Sequence, residues 1–276
     1  MDAEAIAARV WPGREVRIEP LGGGITNHNF KVDVDGEAFV LRIAGADTAL
    51  LGIDREAEHA AAEVAAGLGV GPEVVDFVGG SLVTRFVEGR PVPVDEIRRP
   101  EVLRETADLL RRIHEGPAFP ATFDSFRVVE VYRQRAEEHG VRIPEAYDEA
   151  KARADGIERK LGPQPMRPCH NDLLNANFIR GPDGIRIVDW EYAGMGDRFF
   201  DLANFSVNHE LSGEESNVLL TAYFREARDD DREHLRLMRF MSDFREAMWG
   251  VLQQGISKLD FDYVDYANRH FERALA

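Results

Sequence analysis

The sequence predicts an α+β protein in which a small antiparallel sheet lobe with one helix, residues 1–88, precedes a larger and mostly helical lobe, residues 89–276. Three observations carry that expectation. Short runs that alternate apolar and polar residues fill the N-terminal third, and a single helical pattern interrupts them. Beyond "VEGRPV" the apolar spacing changes from every second residue to every third and fourth.

The elements follow in order. "EVRIEPL" and "EVVDFVGGSLVTRFV" read as strands, and in "NFKVDVDGEAFVLRIAG" Phe30, Val32 and Val34 alternate with Lys31, Asp33 and Asp35. Asp35-Gly36 then turns the chain into Ala38 and Val40, a hairpin signature. The helix spans 54–68, "DREAEHAAAEVAAGL", with Asp54 as its N-cap, acids in its first turns, and Gly67 or Gly69 as stop signals. In "PEVLRETADLLRRIHE", Val102, Thr106, Leu109, Leu110 and Ile113 recur at helical spacing, and Pro100 suits the first turn. Further helices are expected over 129–138, over 144–161 and from 201 to the C-terminus, while "GIRIVDWEYAG" reads as a strand after the turn "GPDG".

A chain of 276 residues with 44% hydrophobic residues can bury a sizeable core. Its formal charge of −16 argues against nucleic acid and anionic membrane surfaces as partners; it would draw in a cationic small molecule, although excess acid is more often a solubility feature. No stretch approaches the roughly 18 apolar residues of a membrane span, so membrane insertion is not expected. "MDAEAIAARVWPGREV" has neither a basic start nor an apolar signal core, and the single Cys169 suits a reducing compartment; a cytoplasmic location is expected. The eight His show no HExxH pattern, which argues against a zinc enzyme.

Three motifs carry chemistry. "LGGGITNHNFKV" places Gly22, Gly23 and Gly24 between a strand and a hairpin, where backbone N–H groups can approach a phosphate; Thr26 and Asn27 add side-chain donors. A plain turn explains the glycines equally, and neither the Rossmann nor the P-loop pattern occurs in its required context. In "FVLRIAG", Arg42 stands between Leu41 and Ile43, so its guanidinium calls for a carboxylate or phosphate partner; Glu56 and Glu58 on the following helix are candidates. "PCHNDLLNANF" contains His170, Asp172 and Asn177 in the spacing H-x-D-x-x-x-x-N, and a strand "IRIVD" ending in Asp189 comes shortly after. In phosphoryl transfer an Asp so placed takes the attacking hydroxyl's proton, and an Asn and a second Asp hold divalent ions. Local side-chain turns are the plainer explanation, but they do not require Asp189 at the end of a strand.

Together these segments resemble the aminoglycoside phosphotransferase-like kinases, and within them the choline and ethanolamine kinase branch, over residues 16–256. The marks of the branch are His170-Asn171-Asp172, where other members have H-G-D, the run Asp189-Trp190-Glu191-Tyr192, and Arg42 in place of Lys. The resemblance implies a bilobal protein-kinase-like fold and the use of ATP and Mg²⁺. It makes Asp172 the catalytic base, gives Mg²⁺ to Asn177 and Asp189, and sets Gly23, Gly24, Thr26, Asn27 and Arg42 on the ATP phosphates. Glu58 orients Arg42 and is preferred to Glu56 for its distance to Gly71-Pro72. Adenine lies between the lobes against the backbone of Arg85, Phe86 and Val87. His170 is structural.

For the acceptor, "SDFREAMWGVLQQGI" is the informative helix. Phe240, Phe244, Met248, Val251 and Leu252 form a core stripe, and Trp249, about 100° from Met248, lies towards its edge, where an aromatic can wall a cage for a quaternary ammonium. Branch members carry a second aromatic one turn earlier, where this chain has Glu246, which suits a smaller or less methylated amine or another alcohol. Glu191, Tyr192 and Asp201 are expected to border the pocket, with Asp201 equally placed to cap a helix or brace the loop. The expected function is transfer of the γ-phosphoryl group to a small cationic alcohol, choline first. Ethanolamine, thiamine, an aminoglycoside, an amino sugar or homoserine are related alternatives. A non-catalytic nucleotide-binding protein is the other class, against which the intact Asp172, Asn177 and Asp189 stand.

Overall fold

The alternating runs fold as a five-stranded antiparallel sheet in the order β1-β2-β3-β5-β4, from β1 (Val16–Leu21), β2 (Asn27–Val34), β3 (Glu37–Ala44), β4 (Val74–Val78) and β5 (Ser81–Arg85). The computed structural model describes residues 2–22, 27–45 and 48–276. At the β2–β3 turn both Asp35 and Gly36 have positive φ, 51° and 86°, as a tight two-residue hairpin requires. The inward residues Val32, Val34, Phe39, Leu41 and Val83 form a core with Ala3 and Ile6 of α1 (Ala3–Val10). This helix adds to the expected elements. Its eight residues are too few for periodicity to stand out, and it is secured by the Asp2 cap and by packing on the sheet.

The helix between the strands, α2 (Arg55–Gly67), starts where Asp54 accepts hydrogen bonds from the Glu56 and Ala57 backbone N–H groups. Its inward face is alanine except for Glu58, which is buried. After β6 (Arg90–Pro91) the chain turns helical through α3 (Val94–Ile97), α4 (Pro100–His114), α5 (Ser125–Glu138) and α6 (Ala146–Leu161). The α5 helix begins four residues before its apolar pattern because Asp124 caps it, accepting from Phe126 and Arg127 N–H.

A strand, β7 (Met166–Cys169), leads into the "HNDLLNAN" loop. The hairpin β8 (Phe178–Gly181) and β9 (Gly184–Ile187) then pairs with β6. Gly89 permits that pairing, since a Cβ there would lie 2.2 Å from the Arg180 carbonyl oxygen. The remaining elements are β10 (Gly194–Asp197), which pairs antiparallel with β7, then α7 (Arg198–Asn208), α8 (Gly213–Phe224), α9 (Asp229–Ile256) and α10 (Tyr263–Leu275). The α9 helix packs against α5, α7 and α10 and is buried on nearly every side from Phe240 to Gln253.

By contacts the chain forms two units: Met1–Pro91 with Ala176–Tyr192, and Val92–Asn175 with Ala193–Ala276. They are called the sheet unit and the helical unit below. Among the described residues no helix is long and apolar enough to cross a membrane.

Candidate active site

In the helical unit the loop after β7 is held from beneath by one carboxylate. Asp201, fully buried in the first turns of α7, accepts from the backbone N–H groups of His170 at 2.8 Å and Asn171 at 2.7 Å. His114 of α4 places Nε2 3.0 Å from the same carboxylate and Nδ1 2.7 Å from the Tyr223 hydroxyl, so its Nε2–H donates to Asp201 and its Nδ1 accepts from Tyr223. The cap of α7 is Asp197, which leaves Asp201 as a brace of the loop. Asn171 has φ 65°, the left-handed region that Asn tolerates better than most residues. Leu173 N–H donates to Asn204 Oδ1 at 2.6 Å, and Asn175 Nδ2 donates to the Val92 carbonyl. His114, Cys169 and Asp201 bring a nitrogen, a sulfur and an oxygen within 4.8 Å of one another. The Asp201 oxygens already take two backbone N–H groups and His114, which makes His114 and Asp201 a hydrogen-bonded brace. Burial pushes the Cys169 thiol well above its ordinary pKa, away from the thiolate a metal needs.

In the sheet unit, Arg42 Nη1 lies 2.8 Å from Glu58 Oε1 and 2.5 Å from Asp189 Oδ1. Burial works against the charge on Arg42, but the Asp189 and Glu58 carboxylates outweigh it and hold its pKa above the usual arginine value. A second cation, Arg55, donates to Glu58 Oε2 at 2.5 Å, to Asn27 Oδ1 at 2.7 Å and to Glu191 Oε2 at 3.4 Å. Asn27 Nδ2 donates to Glu191 Oε2 at 2.8 Å. Burial, and then the nearby Asp189 charge, raise the Glu191 carboxyl to about 7. Asn177 and Asp189 stand at the same end of the β8–β9 hairpin: Phe178 pairs with Ile187, and Val188 N–H donates to the Asn177 carbonyl at 2.9 Å. Asp189, with φ 69°, is another non-glycine residue held in the left-handed region.

On α9, Arg245 is buried and donates through Nη1 to Glu246 Oε1 and, at 3.4 Å, to Asp172 Oδ1. Glu246 takes the Tyr266 hydroxyl on its other oxygen at 2.7 Å. Beside it four rings gather. Trp249 meets Tyr263 and Tyr266 edge-on with centroids 5.9 and 5.7 Å apart, and Phe261 packs 4.8 Å from Tyr263 and 5.9 Å from Tyr266. Phe261 is 44% exposed, so the group reaches the surface.

The predicted residues thus fall into two sets. Asn27, Arg42, Glu58, Asp189 and Glu191 share one cluster, with Asn177 on the adjoining hairpin and Tyr192 buried in the same unit. Asp172, Glu246 and Trp249 belong to the helical unit, with His170 and Asp201 beneath the loop. Gly23, Gly24 and Thr26 lie outside the described residues. The Arg85 side chain is exposed and bonded to Glu37 and Glu73, and the backbone N–H groups of Arg85 and Phe86 donate to Glu73 and Ala38 carbonyls. A cleft of about 840 Å³ is lined by Gly71, Pro72, Phe86, Val87 and Asp183 among others; none of the ion-cluster residues borders it. Arg55, Arg245, Phe261, Tyr263 and Tyr266 were not singled out from the sequence. The only signal was composition: aromatic residues crowd "FDYVDY", and an arginine interrupts the apolar run of α9.

Residues 17–238 match the group described as the phosphotransferase enzyme family, and the chain belongs to it: this protein is a phosphotransferase. Within that family it falls in the choline and ethanolamine kinase branch, whose members act on an alcohol. A choline/ethanolamine kinase family protein from Mesorhizobium loti is 31% identical, with a TM-score of 0.83 over 99% of this chain and 92% of that one. The choline kinase LicA from Streptococcus pneumoniae is 25% identical, with a TM-score of 0.84 over 99% of this chain and 96% of that one. The LicA protein of Haemophilus influenzae is 26% identical over 268 residues, 91% of this chain and 97% of the other.

Proposed function

We propose that the protein transfers the γ-phosphoryl group of ATP to the hydroxyl of choline. The acceptor reading is carried by the ring group of Trp249, Phe261, Tyr263 and Tyr266, next to a cluster in which Asp172 and Glu246 face the one guanidinium of Arg245. Aromatic faces suit a quaternary ammonium. The branch relatives that act on choline support the same choice.

The roles of the residues follow from their chemistry. Arg42, oriented by Glu58, would contact the phosphates, and Val87 would offer its backbone to adenine, since Arg85 and Phe86 have spent their N–H groups in the sheet. The side-chain oxygens of Asn177 and Asp189 are hard donors of the kind Mg²⁺ prefers, and together on one hairpin end they would hold it. Bound there, Mg²⁺ would neutralise charge developing on the transferred phosphoryl group. Asp172 takes the proton of the choline hydroxyl as its oxygen forms the new bond to phosphorus and the bond to the ADP oxygen breaks. We place this reaction in the cytoplasm, where the lone Cys169 stays reduced.

Coupled ADP-release assays with choline, ethanolamine, thiamine and aminoglycosides test the proposal. ADP release should saturate with choline at the lowest concentration. A clear preference for another alcohol would replace choline, and the absence of acceptor-dependent release with all of them would remove the proposal.

A further inference from the structure

We propose that Arg245 is the positioning residue for Asp172, and that Glu246 serves Arg245 rather than the acceptor. The inference rests on the reading of Asp172 as the base. Arg245 is 1% exposed, in the middle of a 28-residue helix where Met241, Phe244, Ala247 and Met248 are buried around it. A guanidinium is rarely so buried without partners, because desolvation costs several kcal/mol per ion. Here the partners are two carboxylates held by one nitrogen, Asp172 at 3.4 Å and Glu246.

The Asp201 brace orders the backbone of the catalytic loop but does not reach the Asp172 side chain, so the direction of that carboxylate is set from α9. Other polar groups facing this cluster are Tyr132 of α5, Tyr266 and His270 of α10, and His170, whose Nδ1 accepts from Asp172 N–H at 3.3 Å. His270 and Arg273 are both drawn to Asp243, and Arg245 is in ion-pair contact with the base.

Glu246 has a purpose in this arrangement. When Asp172 takes the hydroxyl proton it becomes neutral, and an arginine with no second carboxylate would then be a buried, uncompensated charge. That prospect would oppose the proton transfer. With Glu246 in place, the Arg245–Glu246 pair stays neutral throughout, and Asp172 can gain and lose a proton beside it. Burial alone would raise the Glu246 carboxyl, but Arg245 holds it below the usual range, so it remains the permanent counter-ion.

The test is a carboxylate titration by NMR of the full chain labelled at aspartate Cγ, with the Asp172 signal assigned by its loss in Asp172→Asn. Arg245→Met should raise the Asp172 pKa by about 1–3 units, and Glu246→Gln should lower it, since Arg245 then answers to Asp172 alone. Arg245→Lys, which keeps the charge, should stay nearer the wild type than Arg245→Met and supplies the comparison with Glu246→Gln if the Met variant does not fold. Shifts of the same sign in Arg245→Met and Glu246→Gln, or an unmoved titration in Glu246→Gln, would overturn the inference.

Kinetics separate it from the underlying reading. The acidic limb of kcat/KM should follow the NMR values, and Glu246→Gln should change kcat while leaving the choline KM near the wild type. A raised choline KM with an unmoved titration would return Glu246 to the acceptor and overturn the inference. Titrations that move as expected in an enzyme still active as Asp172→Asn would overturn the role of Asp172 as base while leaving the Arg245 contact standing.

Discussion

In the sheet unit two guanidinium groups, Arg42 and Arg55, face three carboxylates, Glu58, Asp189 and Glu191. In the helical unit one, Arg245, faces two, Asp172 and Glu246. Each cluster carries one more negative charge than positive, yet they resolve the excess differently. The sheet cluster reaches solvent, with the Asp189 side chain 24% exposed, and its excess appears as a Glu191 carboxyl that protonates near pH 7. The helical cluster is enclosed, with Arg245 and Glu246 side chains at 2% and 4% exposure, and its arginine keeps Glu246 ionised. One cluster therefore holds a carboxyl that gains and loses a proton near neutrality. The other keeps a fixed ion pair beside Asp172.

The largest effect should break the helical cluster at its base. Asp172→Asn is expected to lower turnover by about 10²–10⁴-fold in the ADP-release assay, with ATP binding by calorimetry nearly unchanged. In the sheet cluster, Glu58→Gln leaves Arg42 and Arg55 short of a shared partner and should cost about 3–5 kcal/mol, read from urea unfolding. The ring group comes next: Trp249→Ala should raise the choline KM by about 10–30-fold, from the ~2 kcal/mol of a desolvated cation–π contact, and leave the ATP KM alone.

The remaining effects are in pH dependence, and their signs are opposite. The folded Glu191 carboxyl, raised from 4.5 to about 7, holds a proton that the unfolded chain releases, so stability from this group declines as pH rises through that window. His209 in the helical unit is lowered by burial from 6.5 to about 4, so its contribution is complete above 6.5 and is lost as pH falls towards 4. At 1.36 kcal/mol per unit each spans at most about 3 kcal/mol. Unfolding free energies of Glu191→Gln and His209→Gln measured from pH 4 to 8 should each flatten only the slope belonging to its own group; a shared response would remove the contrast.

Much of the site was legible because its parts are near one another in sequence or belong to a recognised spacing. Arg42 and Glu58 are separated by 16 positions and by one strand and one helix, each with its own pattern. Asn171 is a case where the motif was legible and the reason was not: its φ of 65° explains why Asn, or Gly, suits the position. Asn175, without a role on sequence grounds, ties the loop to the Val92 carbonyl. Other partners could not be anticipated. Arg55 meets Glu191 across 136 positions, and Arg245 meets Asp172 across 73. No local pattern marks either.

The sequence by itself determined the α+β class, the helix cap at Asp54, the β2–β3 turn and the order of the phosphotransfer motifs. These depend on backbone periodicity and turn chemistry, which act over a few residues. Tertiary structure alone decided which charges share a cluster, that Asp201 braces the loop rather than capping α7, and that Glu246 lies against Arg245 beside a ring group that includes Tyr266 from α10. Those are contacts between side chains distant in the chain. Their energies depend on burial and on the sum of nearby charges, and neither exists until the core has closed.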